Sequence, residues 1–141
     1  MEDKFNLNRF ISAQSTTYEA ALNEIKTGRK TSHWMWYIFP QYKGLGSSIT
    51  SQQYAMTSIE EALLYFKHPI LGNRLLEITN TFLNLKDKTA QEILGSPDHL
   101  KMNSCITLFN AIQTESDIFY KVLTKYYSNS QCTKTISQLE V

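Results

Sequence analysis

The chain has 141 residues, 42% of them hydrophobic, and a formal net charge of +1. That length suits one domain able to bury about two thirds of its unfolded surface, and the composition excludes a disordered chain. The near balance of charge argues against a dedicated DNA-binding protein, which is usually strongly basic.

Helical patterns follow one another along the chain. Asn6 or Asn8 can cap a helix over about 7–14, and Thr16 or Thr17 one over about 16–27. In the second, Tyr18, Ala21, Leu22 and Ile25 recur at three- and four-residue steps, which makes one apolar face. Gly28 stands where a left-handed cap glycine belongs. Arg29 and Lys30 follow, then the run Ser32-His33-Trp34-Met35-Trp36-Tyr37-Ile38-Phe39-Pro40-Gln41.

Gly44-Leu45-Gly46-Ser47-Ser48 leads into a short helix over about 48–55. Ser58 and Glu61 form a capping box before a helix over about 59–67. His68-Pro69 interrupts, and a helix over about 69–85 takes Pro69 in its first turn. Thr89 and Glu92 form a second box. Ser96-Pro97-Asp98 reads as cap, first-turn proline and an acid that suits the helix dipole. That helix reaches about 112, with Leu100, Ile106, Leu108 and Phe109 inward and Lys101, Ser104 and Thr107 on a polar side. The last helix covers about 116–127. Residues 128–141 read as a polar, frayed tail with a turn near Ile136, outside a single helical domain over 1–127.

No segment alternates at period two for any length; the one β-friendly run, Trp36 to Phe39, ends at a proline. The expectation is a compact all-α bundle of about six to eight short helices. No apolar run approaches the about 20 residues of a membrane span, and no apolar block follows Met1-Glu2-Asp3-Lys4 as a signal peptide requires. Cys105 and Cys132 read as free thiols of a cytoplasmic protein. Histidines, cysteines and carboxylates do not cluster at ligand spacing, so neither a metal nor another cofactor is expected. The oligomeric state is not legible.

The aromatic run draws most attention. Its rings can simply fill a core. Yet Trp34, Trp36, Tyr37, His33 and Gln41 all carry polar groups that need partners if buried. An aromatic wall with polar tips suits a flat polar ligand such as a base. Arg29, Lys30 and Lys43 supply positive charge nearby, and the Gly44, Gly46 and Ser47 loop allows close backbone approach to a phosphate. His68 is either a cap neighbour or a ligand donor. Arg74 is either solvated or a phosphate grip. Asp98 either serves its own helix or does acid–base work. Ser32 beside His33 does not suit nucleophile–base geometry.

The run from Phe10 to Tyr127 resembles the bacterial family called domain of unknown function 1810, sometimes labelled calpastatin-like. The matching residues are Arg9-Phe10, Ala13-Gln14, Gly28 to Gln41, Gly44-Leu45-Gly46, His68 to Leu75, and Gly95 to Lys101 with Ser104, Thr107, Leu108 and Phe109. That resemblance implies a mostly helical single domain and no particular activity. A more distant one is to the NADAR (YbiA-like) proteins, helical N-glycosidases acting on ADP-ribose-type and riboflavin-pathway substrates. They share an aromatic-and-histidine block and a helix broken before a leucine-rich helix, which His68-Pro69-Ile70-Leu71 resembles. Their block contains a glutamate, whereas no acid lies between Ser32 and Gln41 here, so a catalytic carboxylate would be Asp98 or Glu61.

The expected function is therefore binding of a nucleotide-like or ribosyl-phosphate molecule. His33, Trp34, Trp36 and Tyr37 would wall the pocket, with Arg29, Lys30, Ser32, Gln41, Lys43, the Gly44–Ser48 loop, Arg74 and Lys101 around it. N-glycosidic hydrolysis would use Asp98 or Glu61 with His33 or His68. The alternatives are a non-catalytic binding module and an interaction domain whose aromatics are only core.

Overall fold

Ten helices form among the described residues, 3–112 and 115–139, of this computed structural model. In chain order they are α1 (Asn8–Ser15), α2 (Tyr18–Lys26), α3 (Met35–Ile38), α4 (Ile49–Gln53), α5 (Ile59–Lys67), α6 (Leu71–Leu83), α7 (Ala90–Leu94), α8 (Asp98–Ala111), α9 (Ile118–Tyr127) and α10 (Thr133–Leu139). The class is all-α, as expected. Extended pairing among these residues is limited to an isolated parallel bridge between Tyr42 and Met56. The β-friendly run from Trp36 falls largely in one helical turn, α3, and the tail carries α10.

Local chemistry sets most boundaries. Gly28 has φ +80°. Gly28 and Arg29 donate their N–H groups to the carbonyls of Ile25 (2.9 Å) and Glu24 (3.0 Å), a Schellman ending to α2. Thr89 and Glu92 form the full reciprocal box at α7. Four expected caps differ. Thr17 stands at the cap position of α2, but its hydroxyl donates back to the Ala13 carbonyl at 2.7 Å and caps nothing. Neither Asn6 nor Asn8 caps α1; the Asp3 carboxylate accepts the N–H groups of Leu7 (2.7 Å) and Asn8 (2.9 Å). Ser58 Oγ accepts the Glu61 N–H, but the Glu61 side chain turns to Thr57 instead of closing the box. At α8, Pro97 itself takes the cap position after a cis peptide bond from Ser96, so Ser96 caps nothing. Pro69 stands ahead of α6, not in its first turn.

Helix α8 runs through the middle. It packs against α3, α7, α9 and α10. Met102 and every residue from Ser104 to Phe109 are buried. The expected polar side is thus wrong for Ser104 and Thr107. Thr107 Oγ1 accepts the Cys132 N–H at 2.9 Å, and Ser104 Oγ donates to Cys132 Sγ at 3.2 Å. These hydroxyls hold the start of α10 against α8, so the tail is not frayed there. Leu100, expected inward, is 58% exposed. Cys105 and Cys132 are both free thiols.

Fully buried rings of Phe10, Tyr65, Phe82, Phe109 and Phe119 fill the centre. Gly72 lets α6 begin against the end of α5: a Cβ there would lie 1.9 Å from the Phe66 carbonyl oxygen. No helix among the described residues is long and apolar enough to cross a membrane.

Candidate functional site

The site is built from the end of α2 outward. After the Gly28 turn, the Lys30 N–H donates to the Ile93 carbonyl at 2.7 Å, which ties this loop to α7. Glu24, in the last turn of α2, organises the segment between α2 and α3. Its Oε1 accepts the N–H groups of Thr31 (2.8 Å) and Ser32 (3.0 Å) and the indole N–H of Trp34 (3.0 Å). The Ser32 hydroxyl donates to Oε2. Burial raises the Glu24 carboxyl, but these donors outweigh it and bring it down to about 2. The indole of Trp34 is thereby satisfied where it enters the core, and only 2% of the residue is exposed. Trp34 is a floor, not the open wall that its sequence suggests.

Beyond it lies a hollow of about 280 Å³. Trp36 and Tyr37 present half-buried rings to it, and exposed His33, Ser48 and Thr50 stand at its rim. Asp98, Lys30 and Lys101 face it from the other side. Lys30 Nζ lies 2.7 Å from Asp98 Oδ2 and Lys101 Nζ 3.1 Å from Oδ1. The same two ammonium groups cover rings: Lys30 is 4.9 Å from the Trp34 centroid and Lys101 4.8 Å from that of Trp36. Two lysines against one aspartate leave the hollow net positive. Burial raises the Asp98 carboxyl, and hydrogen bonds from Lys30 and Lys101 more than reverse this, so it is held below its ordinary range. Asp98 is therefore an anion at neutral pH. It can orient a water or a hydroxyl, or face developing positive charge, but it is not poised to donate a proton.

The family model of DUF1810, a protein of unknown function, matches residues 4–139. The chain belongs to the DUF1810 family. Among solved structures, a conserved hypothetical protein, Rv1873 from Mycobacterium tuberculosis, shares 40% identity with it over 99% of each chain, with a TM-score of 0.97. No curated protein matches the chain.

In this DUF1810 chain the other expected residues lie elsewhere. Glu61, 1% exposed, is paired with Arg9 Nη2 at 2.8 Å and accepts from Thr57; it does not line the hollow. His68 lines a wider groove of about 450 Å³ beside the N-terminal segment. Its Nδ1 there accepts the N–H groups of Ile70 (3.1 Å) and Leu71 (3.3 Å), which makes it the cap of α6. The groove is larger, but its polar groups are engaged. Lys4 pairs with Glu60, and Asp3 caps α1. Arg29 is exposed and off the hollow. Arg74 reaches Gln14 Oε1 at 3.4 Å and covers Tyr18 at 5.3 Å, also away from it. Ser32 is bound to Glu24, and Ser47 offers its carbonyl to the Gln52 amide at 3.1 Å.

Gln41, Lys43, Gly44 and Gly46 line a neighbouring hollow that shares Trp36 with the first. At the start of α4, Ser48 Oγ takes the Ser51 N–H at 3.1 Å. Sequence reasoning misses Glu24, Met35 and Thr50; Ser48, expected at the rim as the end of the Gly44–Ser48 loop, does line the hollow. The capping chemistry of Ser48 is a usable signal for its placement. Nothing in the spacing of Glu24 distinguishes it from an ordinary surface acid on a helix.

Proposed function

We propose that the chain binds a nucleotide-like or ribosyl-phosphate small molecule in the hollow between Trp36, Tyr37 and the Lys30–Asp98–Lys101 cluster. The observation that carries this reading is the placement of Lys101 over the Trp36 ring at 4.8 Å, with Lys30 across Asp98 from it. A planar group lies against Trp36 or Tyr37, and an anionic group meets the ammonium ions at the edge. Ser48 and Thr50 offer hydroxyls to a sugar.

Hydrolysis of an N-glycosidic bond is the catalytic form of this proposal. It rests on a charged Asp98 inside the same hollow. Asp98 would steer water and oppose the positive charge of an oxocarbenium-like transition state. His33, at the rim, is the histidine in reach of such a ligand; Glu61 and His68 take no part.

The test is titration with ribose 5-phosphate and with ADP-ribose, followed by tryptophan fluorescence. Saturable quenching that Lys101→Ala weakens about tenfold supports binding. Absence of any signal with either compound rejects it. Release of free base that Asp98→Asn abolishes while quenching persists adds the hydrolase; quenching without release leaves a binding module.

A further inference from the structure

The second hollow, about 170 Å³, lies against Trp36 where the Gly44–Leu45–Gly46 loop passes over it. Gly46 sits directly on the indole: a Cβ there would come 2.8 Å from Trp36 Cη2 and 2.6 Å from Ser51 Oγ. Gln41 lines this hollow and is 2% exposed. Its Nε2 is buried and has no hydrogen-bond partner among the described residues. The backbone around it is fixed, since the Gln41 carbonyl accepts the Met56 N–H at 2.9 Å and Lys43 N–H donates to the Met56 carbonyl at 2.9 Å.

An unmet buried amide donor is destabilising, because it gives up water and gains no partner. Such groups are rare in folded proteins and call for an explanation. Thr79 Oγ1 is also unmet, but Thr79 lines neither hollow. Gln41 differs because empty space adjoins it. The space is below the about 300 Å³ at which a cleft holds a whole drug-sized ligand, so it suits one fragment. Both hollows touch one indole, with the Lys101 ammonium over its ring and the Gly46 loop on its far edge.

Building on the nucleotide reading above, we propose that the Gln41 hollow is a base subsite. The Gln41 amide donates a hydrogen bond to the ring carbonyl of a single-ring base whose phosphate lies at Lys30 and Lys101. The ligand class is thus a mononucleotide with a carbonyl-bearing six-membered base. No covalent step is involved.

Calorimetric titration with uridine 5′-monophosphate and with ribose 5-phosphate tests this. In the unmodified chain the nucleotide binds about tenfold more tightly than the sugar phosphate, the gain of one hydrogen bond to an otherwise unmet donor. Gln41→Met brings the ratio of the two affinities close to one. It does not lower the melting temperature, because it removes a donor that had no partner in the free protein. Equal affinities in the unmodified chain overturn the base subsite and leave the sugar-phosphate reading standing. A ratio unchanged by Gln41→Met overturns it too, and so does a large stability loss in that variant with the ratio preserved. If neither compound binds, both readings fall.

Discussion

Lys30 Nζ lies 2.7 Å from Asp98 Oδ2, an ion pair that joins the loop after α2 to the first residue of α8. The Lys30 side chain is 6% exposed, and removing its carboxylate leaves a charge with little water to serve it. Asp98→Asn therefore lowers the melting temperature. Inorganic phosphate restores more of it in the variant than in the unmodified chain, because the anion replaces the missing counterion. Chloride at matched ionic strength gives no such difference. Thermal shift measurements in the two salts decide the point.

Glu24 makes stability depend on acid. Its carboxyl titrates at about 2 in the folded chain against an ordinary 4.5, mainly because Ser32, Thr31 and Trp34 donate to it against the cost of burial. The unfolded chain takes up the proton first as pH falls. The stabilisation is therefore complete above about pH 4.5 and is lost progressively toward pH 2. Urea midpoints of the unmodified chain and Glu24→Gln are expected to differ most at pH 6 and to converge near pH 2. A gap that stays constant with pH would show that the carboxylate charge is not what matters.

The two tryptophans separate stability from binding. Trp34→Phe replaces the buried indole with a smaller ring, which leaves a cavity, and deletes the N–H that donates to Glu24 at 3.0 Å. A hydrogen bond to a charged group contributes about 1.5–3 kcal/mol, so denaturant unfolding shifts by at least that order. Trp36→Ala removes a half-buried ring that faces both hollows. It is expected to weaken ribose 5-phosphate binding more than it lowers stability. The reverse ranking would return both rings to a purely structural role.

Gly72→Ala tests the joint between α5 and α6. The added methyl meets a backbone carbonyl at 1.9 Å, and backbone cannot swing aside like a side chain. Overpacking of this kind costs about 3 kcal/mol. Circular dichroism melts of the variant check it; a change within the noise would mean that the helix pair opens without cost.

The features that the sequence determined by itself are local. The Schellman ending at Gly28, the capping box at Thr89 and Glu92, and the apolar faces of α2, α6 and α9 each depend on residues within one or two turns of each other. The run from Ser32 to Gln41 stands out because its chemistry is dense along the chain. Lys30, Trp36, Tyr37, Asp98 and Lys101 are recognisable by residue type and do meet in one hollow.

Tertiary packing alone decided the rest. Glu61 and Asp98 are both carboxylates at helix starts, yet Arg9 claims one and two lysines hold the other at a cavity mouth. His33 and His68 are told apart in the same way, since one stands at the rim and the other caps α6. Ser104 and Thr107 read as solvent-facing until α10 closes over them. A charge or hydroxyl finds its partner wherever the folded backbone brings one within about 3 Å, and helix periodicity carries no information about partners from distant segments.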